Sequence, residues 1–339
     1  MPGARYALNI VHARSPVLRI RYRDGVLVDP YGFPDWLLYA RALVQAPPPD
    51  PGLTLDEMRV LDVLAANEVM ADRGDDPLWD GTAGTPARWC WAHMGGGRGL
   101  ALVPVELHGS YRHAGGVRTM GVTGAGLRAD PRPAPVGFGR GEAVPDDVLD
   151  ELERLVGAEL PAPYRAYLGD TNGAGPAEPA VLAGHGFVAD QPLFGVARAD
   201  AHQDLGYACG WLTDRFTPDL LPIGYVQGGI LALRLRDPLR GSVWFWDDDD
   251  PRDDAGYGPV EIRDRLLRHC ADTFDEFRDR LSHPPAALAD LARAWTATGS
   301  IQVVRHELAG AGLPAPMRAP WQPAPSRVRD PVAGLFELA

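Results

Sequence analysis

Lysine is absent: all 33 basic side chains among the 339 residues are arginine. Cysteine is scarce, and Cys90, Cys209 and Cys270 are odd in number and far apart. That spacing indicates neither a disulfide framework nor a cysteine zinc knuckle, and it points to a reducing compartment, the cytoplasm. No apolar run approaches the roughly 18 residues that span a bilayer, so no membrane contact is expected. Met1–Tyr22 breaks its apolar residues with Arg5, Arg14, Arg19 and Arg21, a pattern without the apolar core or cleavage site of a secretory signal. Positive charge is also in short supply, 33 basic against 45 acidic groups, for a net of −12. Through residue 130 there are 13 arginines against 14 acids; beyond it there are 20 against 31. The front is therefore nearly neutral and the back strongly acidic. An acidic surface repels phosphate backbones and attracts basic proteins, so free nucleic acid is not an expected partner of the back part.

What is present is an ordinary apolar content, 45%, with 39 glycines and 33 prolines that punctuate the chain. Gly121–Gly141 is dense in both and lacks a sustained apolar period, which reads as a linker. The division expected is a domain over 1–120, the linker 121–141, a domain over 142–283, and a helix with a Pro-rich tail over 284–339. In the front part, Val17, Arg19 and Arg21 alternate with Leu18, Ile20 and Tyr22 before Asp24-Gly25, a hairpin signal. Leu55–Val69 has helical spacing. Trp89–His93 and Leu100–Val103 flank the glycine-rich turn Gly95–Gly97 as a second hairpin, and Val105–Arg112 suits a short helix. In the back part, Asp146 and Asp147 open a helix that Gly157 ends. Pro163–Leu168 suits another. Ile230–Leu235 and Val243–Trp246 form a hairpin. Ile262–Leu281 reads as one long amphipathic helix, with Leu266, Cys270, Phe274, Phe277 and Leu281 in register. The fold class expected is α+β.

Two groups of residues could carry chemistry. The first is His93, His108 and His113, within 21 residues. One histidine at a hairpin end and two on a following helix suit a compact divalent-metal site, in which neutral imidazoles bind the ion and a further one takes a proton from water. Unrelated core and surface histidines are the alternative. The second is the run Asp247–Asp250, followed by Asp253 and Asp254. It reads either as a solvated loop leaving a strand or as an electrostatic contact for a basic partner. Without the glycine and closing glutamate of an EF-hand, it does not suit calcium. Trp244 and Trp246 share one strand face, and one pair of that strand could anchor the same partner.

In the front part, Tyr31-Gly32-Phe33-Pro34-Asp35, Arg59–Asn67, Thr85-Pro86, Trp91-Ala92-His93, Leu102-Val103-Pro104, Leu107-His108 and His113-Ala114-Gly115-Gly116 follow one another. This series resembles the HNH/endonuclease VII superfamily nucleases with a Trp-His-His signature, which are toxin domains of bacterial polymorphic toxins. The resemblance implies a ββα-metal finger holding one divalent ion (Mg, Mn or Zn). In it His93 would be the general base, with His108 and His113 completing the metal and phosphate site. One departure stands out, Ala92, where the family has a metal-binding His.

In the back part, Leu160-Pro161-x-x-Tyr164-Arg165-x-x-Leu168, Asn172-Gly173, Leu193-Phe194-Gly195, Leu221-Pro222-Ile223-Gly224, Gly228-Gly229, Val243–Asp247 and Phe274-x-x-Phe277-x-x-x-Leu281 are similar to the SUKH superfamily. That group includes fungal regulators of the Smi/Knr type and bacterial immunity proteins. It implies a non-enzymatic α+β module with an antiparallel sheet and packed helices. The combined expectation is an immunity-type binding protein for a nuclease toxin or other basic protein, fused to an impaired nuclease domain. The alternatives are a metal-dependent DNA or RNA nuclease held by its own immunity domain, and a purely structural fusion.

Overall fold

The structure is a computed structural model that describes residues 9–11, 16–22, 24–79, 84–110, 112–250, 252–253 and 257–306. Asp254 and the Pro-rich stretch Leu313–Pro331 lie outside the described residues. The fold is mixed α/β with antiparallel sheets. Its front sheet is built on the hairpin β5 (Trp89–His93) and β6 (Gly99–Pro104), with β4 (Ala42–Gln45) on the other side of β6. Alternation splits β5 between two cores. Trp89 and Trp91 face α2 (Leu55–Arg73), while Cys90 and Ala92 face the opposite cluster with Ala101 and Val103. Helix α2 begins on a capping box in which the Thr54 hydroxyl accepts from the Glu57 N–H, and Gly74 closes it in a left-handed conformation. Thr54→Ala is expected to lower stability by about 1 kcal/mol, read by chemical denaturation.

The alternating segment before Asp24 folds as a helix, α1 (Pro16–Arg21), in place of the expected hairpin arm. Leu18 and Tyr22, four apart, are buried while Ile20 is 68% exposed, so the four-residue spacing overrode the alternation. A small sheet joins β1 (Asn9–Val11), β2 (Val26–Val28) and β3 (Pro34–Asp35). The short helix after β6, α3 (Val105–His108), stops at Gly109 instead of running to Arg112.

The back part packs α4 (Asp146–Val156), α5 (Ala162–Thr171) and α6 (Leu205–Trp211) with a second sheet, ordered β10-β9-β8-β7. Its strands are β7 (Leu220–Val226), β8 (Gly229–Arg234), β9 (Val243–Asp247) and β10 (Arg268–Ala271). The long helix expected over Ile262–Leu281 is instead α7 (Pro259–Arg265), strand β10 and α8 (Phe274–Arg280). A spacing of four also keeps residues on one side of a strand, so Leu266, Cys270 and Phe274 stay buried either way. Pairing with β9 and the Thr273 cap of α8 decide the outcome.

The chain then returns to its beginning. Helix α9 (Ala286–Ala297) packs on α2, and β11 (Gln302–His306) pairs with β4, giving the front sheet the order β11-β4-β6-β5. Gly121–Gly141 has no helix or named strand, yet it is stitched to α2: Leu55 donates to the Gly124 carbonyl, and Gly126 donates to Asp56. One buried cluster runs from Tyr22 and Ala92 to Phe245 and Phe277, so the front and back parts share a core.

Candidate functional site

Helix α2 presents Asp56, Arg59 and Asp62 three residues apart, and this stripe faces the histidines. His93, at the end of β5, places its Nε2 3.1 Å from Asp62 Oδ2. Asp62 is wholly buried and accepts two bonds from Arg98, at 2.8 and 2.6 Å. The His93 ring is therefore held towards α2. His108, at the end of α3, lies against His113 with ring centroids 4.8 Å apart, and both rings pack on buried Trp36 at 5.3 Å. His93 and His108 line one pocket with Arg59, Trp91, Gln227 and Asp249. The structure thus brings the three expected histidines into one region, although His113 sits beyond the helix that was to carry it.

Their surroundings are not those of a metal centre. Ala92 is 1% exposed and turned to the opposite sheet face, where its methyl offers no donor. Among the described residues, His93, His108 and His113 do not supply three converging ligand atoms. The residues present do not fit the divalent ion that the nuclease resemblance implies, and no chemical step is derived through one.

What fills the region is the acidic run. Asp247, Asp248, Asp249 and Asp250 are only 4–8% exposed, which corrects the expectation of a solvated loop reaching for a partner. The reason is Arg59, itself buried, which donates to both carboxylate oxygens of Asp247 at 2.7 and 2.8 Å and to the Gly228 carbonyl at 3.2 Å. Burial opposes the Arg59 charge, but Asp247, Asp249 and Asp248 outweigh it and hold the guanidinium above its usual range. Arg268 pairs with Asp56 at 3.0 Å on the flank. Further along, Arg118 donates to the Asp250 carbonyl at 2.6 Å, and Arg112 pairs with Asp253 at 2.7 Å.

Asp248 approaches His108, Oδ2 to Nδ1, at 3.4 Å. Burial, with Asp249 adding to it, pushes the Asp248 carboxyl well above its usual range, while burial and the neighbouring His113 hold His108 well below its own. Both directions work against an ion pair between the two groups. The Trp pair is divided. Trp246 is 2% exposed beneath the Arg215 guanidinium, which corrects its reading as a surface anchor. Trp244 is half-buried, with its indole N–H donated to Ser242 Oγ.

A cluster that sequence reasoning missed lies nearby. Glu106, Asp200 and His202 bring three ligand atoms together, the one such group among the described residues. His202 Nδ1 is 3.1 Å from Glu106 and 3.6 Å from Asp200. Cations already serve both acids: Arg21 and the Tyr22 hydroxyl reach Glu106 at 2.5 and 2.7 Å, and Arg88 reaches Asp200 at 2.8 Å. The cluster is an ion-pair network joining α1, α3 and the segment before α6, with no cation left to supply. Nothing in the sequence flags it, because its members are far apart in the chain.

Burial opposes both charges in it. Hydrogen bonding and attraction to His202 and Arg21 nevertheless lower the Glu106 carboxyl, and hydrogen bonds to Asp200 and Glu106 raise His202. A raised His202 stabilises the fold below its unfolded value of 6.5 and loses that contribution as pH climbs through the higher folded value. A lowered Glu106 stabilises above 4.5 and loses its contribution as pH falls towards the lower folded value. Both contributions are complete between 4.5 and 6.5. His202→Gln is expected to cost about 3 kcal/mol in that window and to flatten the alkaline decline relative to the unmodified protein. Denaturation across a pH series reads both.

The hairpin and short helix that carry the clustered histidines are thus followed along the chain by a helix-flanked antiparallel sheet. Residues 143–280 match the SMI1 / KNR4 family (SUKH-1), and residues 82–122 match a nuclease of the HNH/ENDO VII superfamily with conserved WHH. The nuclease match precedes the SUKH-1 match along the chain, with Trp-Ala-His at the WHH position. No curated protein matches it.

Proposed function

We propose that the chain is an immunity-type binding protein of a bacterial polymorphic toxin system, acting in the cytoplasm, whose nuclease-derived part no longer cleaves nucleic acid. The observation that carries this reading is Ala92, packed into the core where the family signature has a metal-binding imidazole, while Asp62 and Arg98 hold His93. Loss of one imidazole from such a site weakens metal binding severely, given that even outer-shell losses cost 10–100-fold. The SUKH-1 match and the acidity of the C-terminal part favour a basic nuclease toxin as partner. Since Asp247–Asp250 are buried, the outward acids of α4, Asp146, Asp147, Asp150 and Glu151, are better placed to meet it. Among the described residues no helix is long and apolar enough to cross a membrane.

The test mixes the purified chain with nuclease toxin domains encoded beside its gene and follows both binding and cleavage of DNA and RNA. Stoichiometric binding with loss of cleavage is expected. Failure to bind any of them would remove this reading. A second reading, a nuclease toxin restrained by its own fused immunity domain, is favoured by the acidic loop lying on the histidines. It requires Mg-, Mn- or Zn-dependent cleavage by the chain itself that disappears in His93→Ala.

A further inference from the structure

The acidic loop after β9 and the His113-Ala114-Gly115-Gly116 motif fit together more closely than either needs for its own folding. Gly115 has φ −71° and ψ 141°, a conformation open to any residue, so its lack of a side chain has no backbone cause. The cause is Asp249: a Cβ on Gly115 would lie 1.0 Å from Asp249 Oδ1. The next glycine is equally constrained, since a Cβ on Gly116 would lie 2.3 Å from the His93 carbonyl oxygen. The glycine pair thus lays the motif on the end of β5 and leaves a seat that one carboxylate of the C-terminal part fills. Around that seat, Arg59 holds Asp247, His108 meets Asp248, Arg118 holds the Asp250 carbonyl and Arg112 holds Asp253. Asp248 Oδ1 is buried and accepts no hydrogen bond, with Arg59 4.0 Å away.

We infer that Asp247–Asp250 together with Asp253 form an intramolecular plug: acidic residues of the SUKH-type part seated on the histidine face of the nuclease-type part, with Gly115 as their seat. It covers His108 through Asp248 and occupies, with carboxylates and a backbone carbonyl, the donors of Arg112 and Arg118 that an anionic chain would otherwise meet. A surface of this kind is shut by competition, like against like, and opens only when the loop leaves. The inference stands whether or not the chain neutralises a toxin, and its test reads neither cleavage nor toxin binding.

Gly115→Ala is the probe, because it evicts Asp249 without removing any charged side chain. The full-length protein and the variant are treated with diethyl pyrocarbonate, and modification is mapped by peptide mass spectrometry. Exposed His269 serves as the internal reference. Circular dichroism confirms folding. In the unmodified protein His108 stays unreacted; in Gly115→Ala its modification rises by about tenfold or more. The variant also gains binding to a short fluorescein-labelled oligonucleotide, seen by anisotropy and lost at high salt. Should Gly115→Ala fail to fold, Asp249→Ala/Asp253→Ala removes the wedge and the Arg112 pair but keeps the Arg59–Asp247 pair, with the same results expected. A folded variant whose His108 remains unreactive overturns the plug. A reactive His108 without oligonucleotide binding overturns its role as an anionic competitor.

Discussion

Arg59→Met lowers the stability of the full chain by about 3–5 kcal/mol, the scale of breaking a buried ion pair by removing one partner. Arg59 rises from α2 in the front sheet layer and ends on Asp247 at the tip of β9, so it ties the first quarter of the chain to the last third. Its loss leaves Asp247 and its neighbours Asp248 and Asp249 under-compensated in a site where each is less than a tenth exposed. The methionine stem replaces the volume but none of the five N–H donors. The sign of the pH effect follows. Burial already raises the Asp247 carboxyl against the pull of Arg59, so removing the guanidinium raises it further. A raised carboxyl stabilises the fold below the ordinary carboxylate range and withdraws that stabilisation as pH rises through its folded value. Arg59→Met therefore recovers part of its deficit on acidification, and Arg59→Met/Asp247→Leu recovers part of it at neutral pH. Urea denaturation at two pH values measures both; a loss under 1 kcal/mol, independent of pH, would contradict the buried pair.

Ala92→His restores the family signature on paper and is expected to restore no nuclease activity. The methyl at 92 faces the shared core beside Cys90, Ala101 and Val103, and Gly116 already lies against the end of the same strand. An imidazole there overpacks a filled space and buries a polar ring, for about 2–4 kcal/mol of lost stability. Plasmid and RNA cleavage with Mg, Mn or Zn, measured beside the thermal midpoint, tests both halves of this. Cleavage by a variant of unchanged stability would show that the space for a ligand was there.

Local patterns were legible in the sequence wherever one period dominated. The β5–β6 hairpin, α2, α4 and the β8–β9 hairpin follow from alternation, apolar spacing and capping residues. Patterns that satisfied two periods at once misled. Leu18 and Tyr22 sit four apart in an alternating run and became helix; Leu266, Cys270 and Phe274 sit four apart in a helical run and straddle a strand. Long-range pairing was invisible. No local feature says that Gln302–His306 adds a strand to β4, or that Arg59 waits for Asp247. That second case changed the site most, because four consecutive aspartates read as a solvated face until their arginines are located. The histidines were found by their motif, but their use was not: His93 is bound by Asp62, and His108 faces a carboxyl 140 residues further along the chain. His202 carried no signal, as its partners Glu106 and Asp200 are brought to it only by the fold.

The central claim is that the histidine face is a former nuclease site without a metal centre, closed by the chain's own acidic loop. Calorimetric titration of manganese and zinc chloride into the full-length protein tests it most directly, run in parallel on His108→Ala and His113→Ala. The account predicts the same heats for all three proteins, with no binding event that depends on either imidazole. A stoichiometric site in the unmodified protein that disappears in His108→Ala would contradict it.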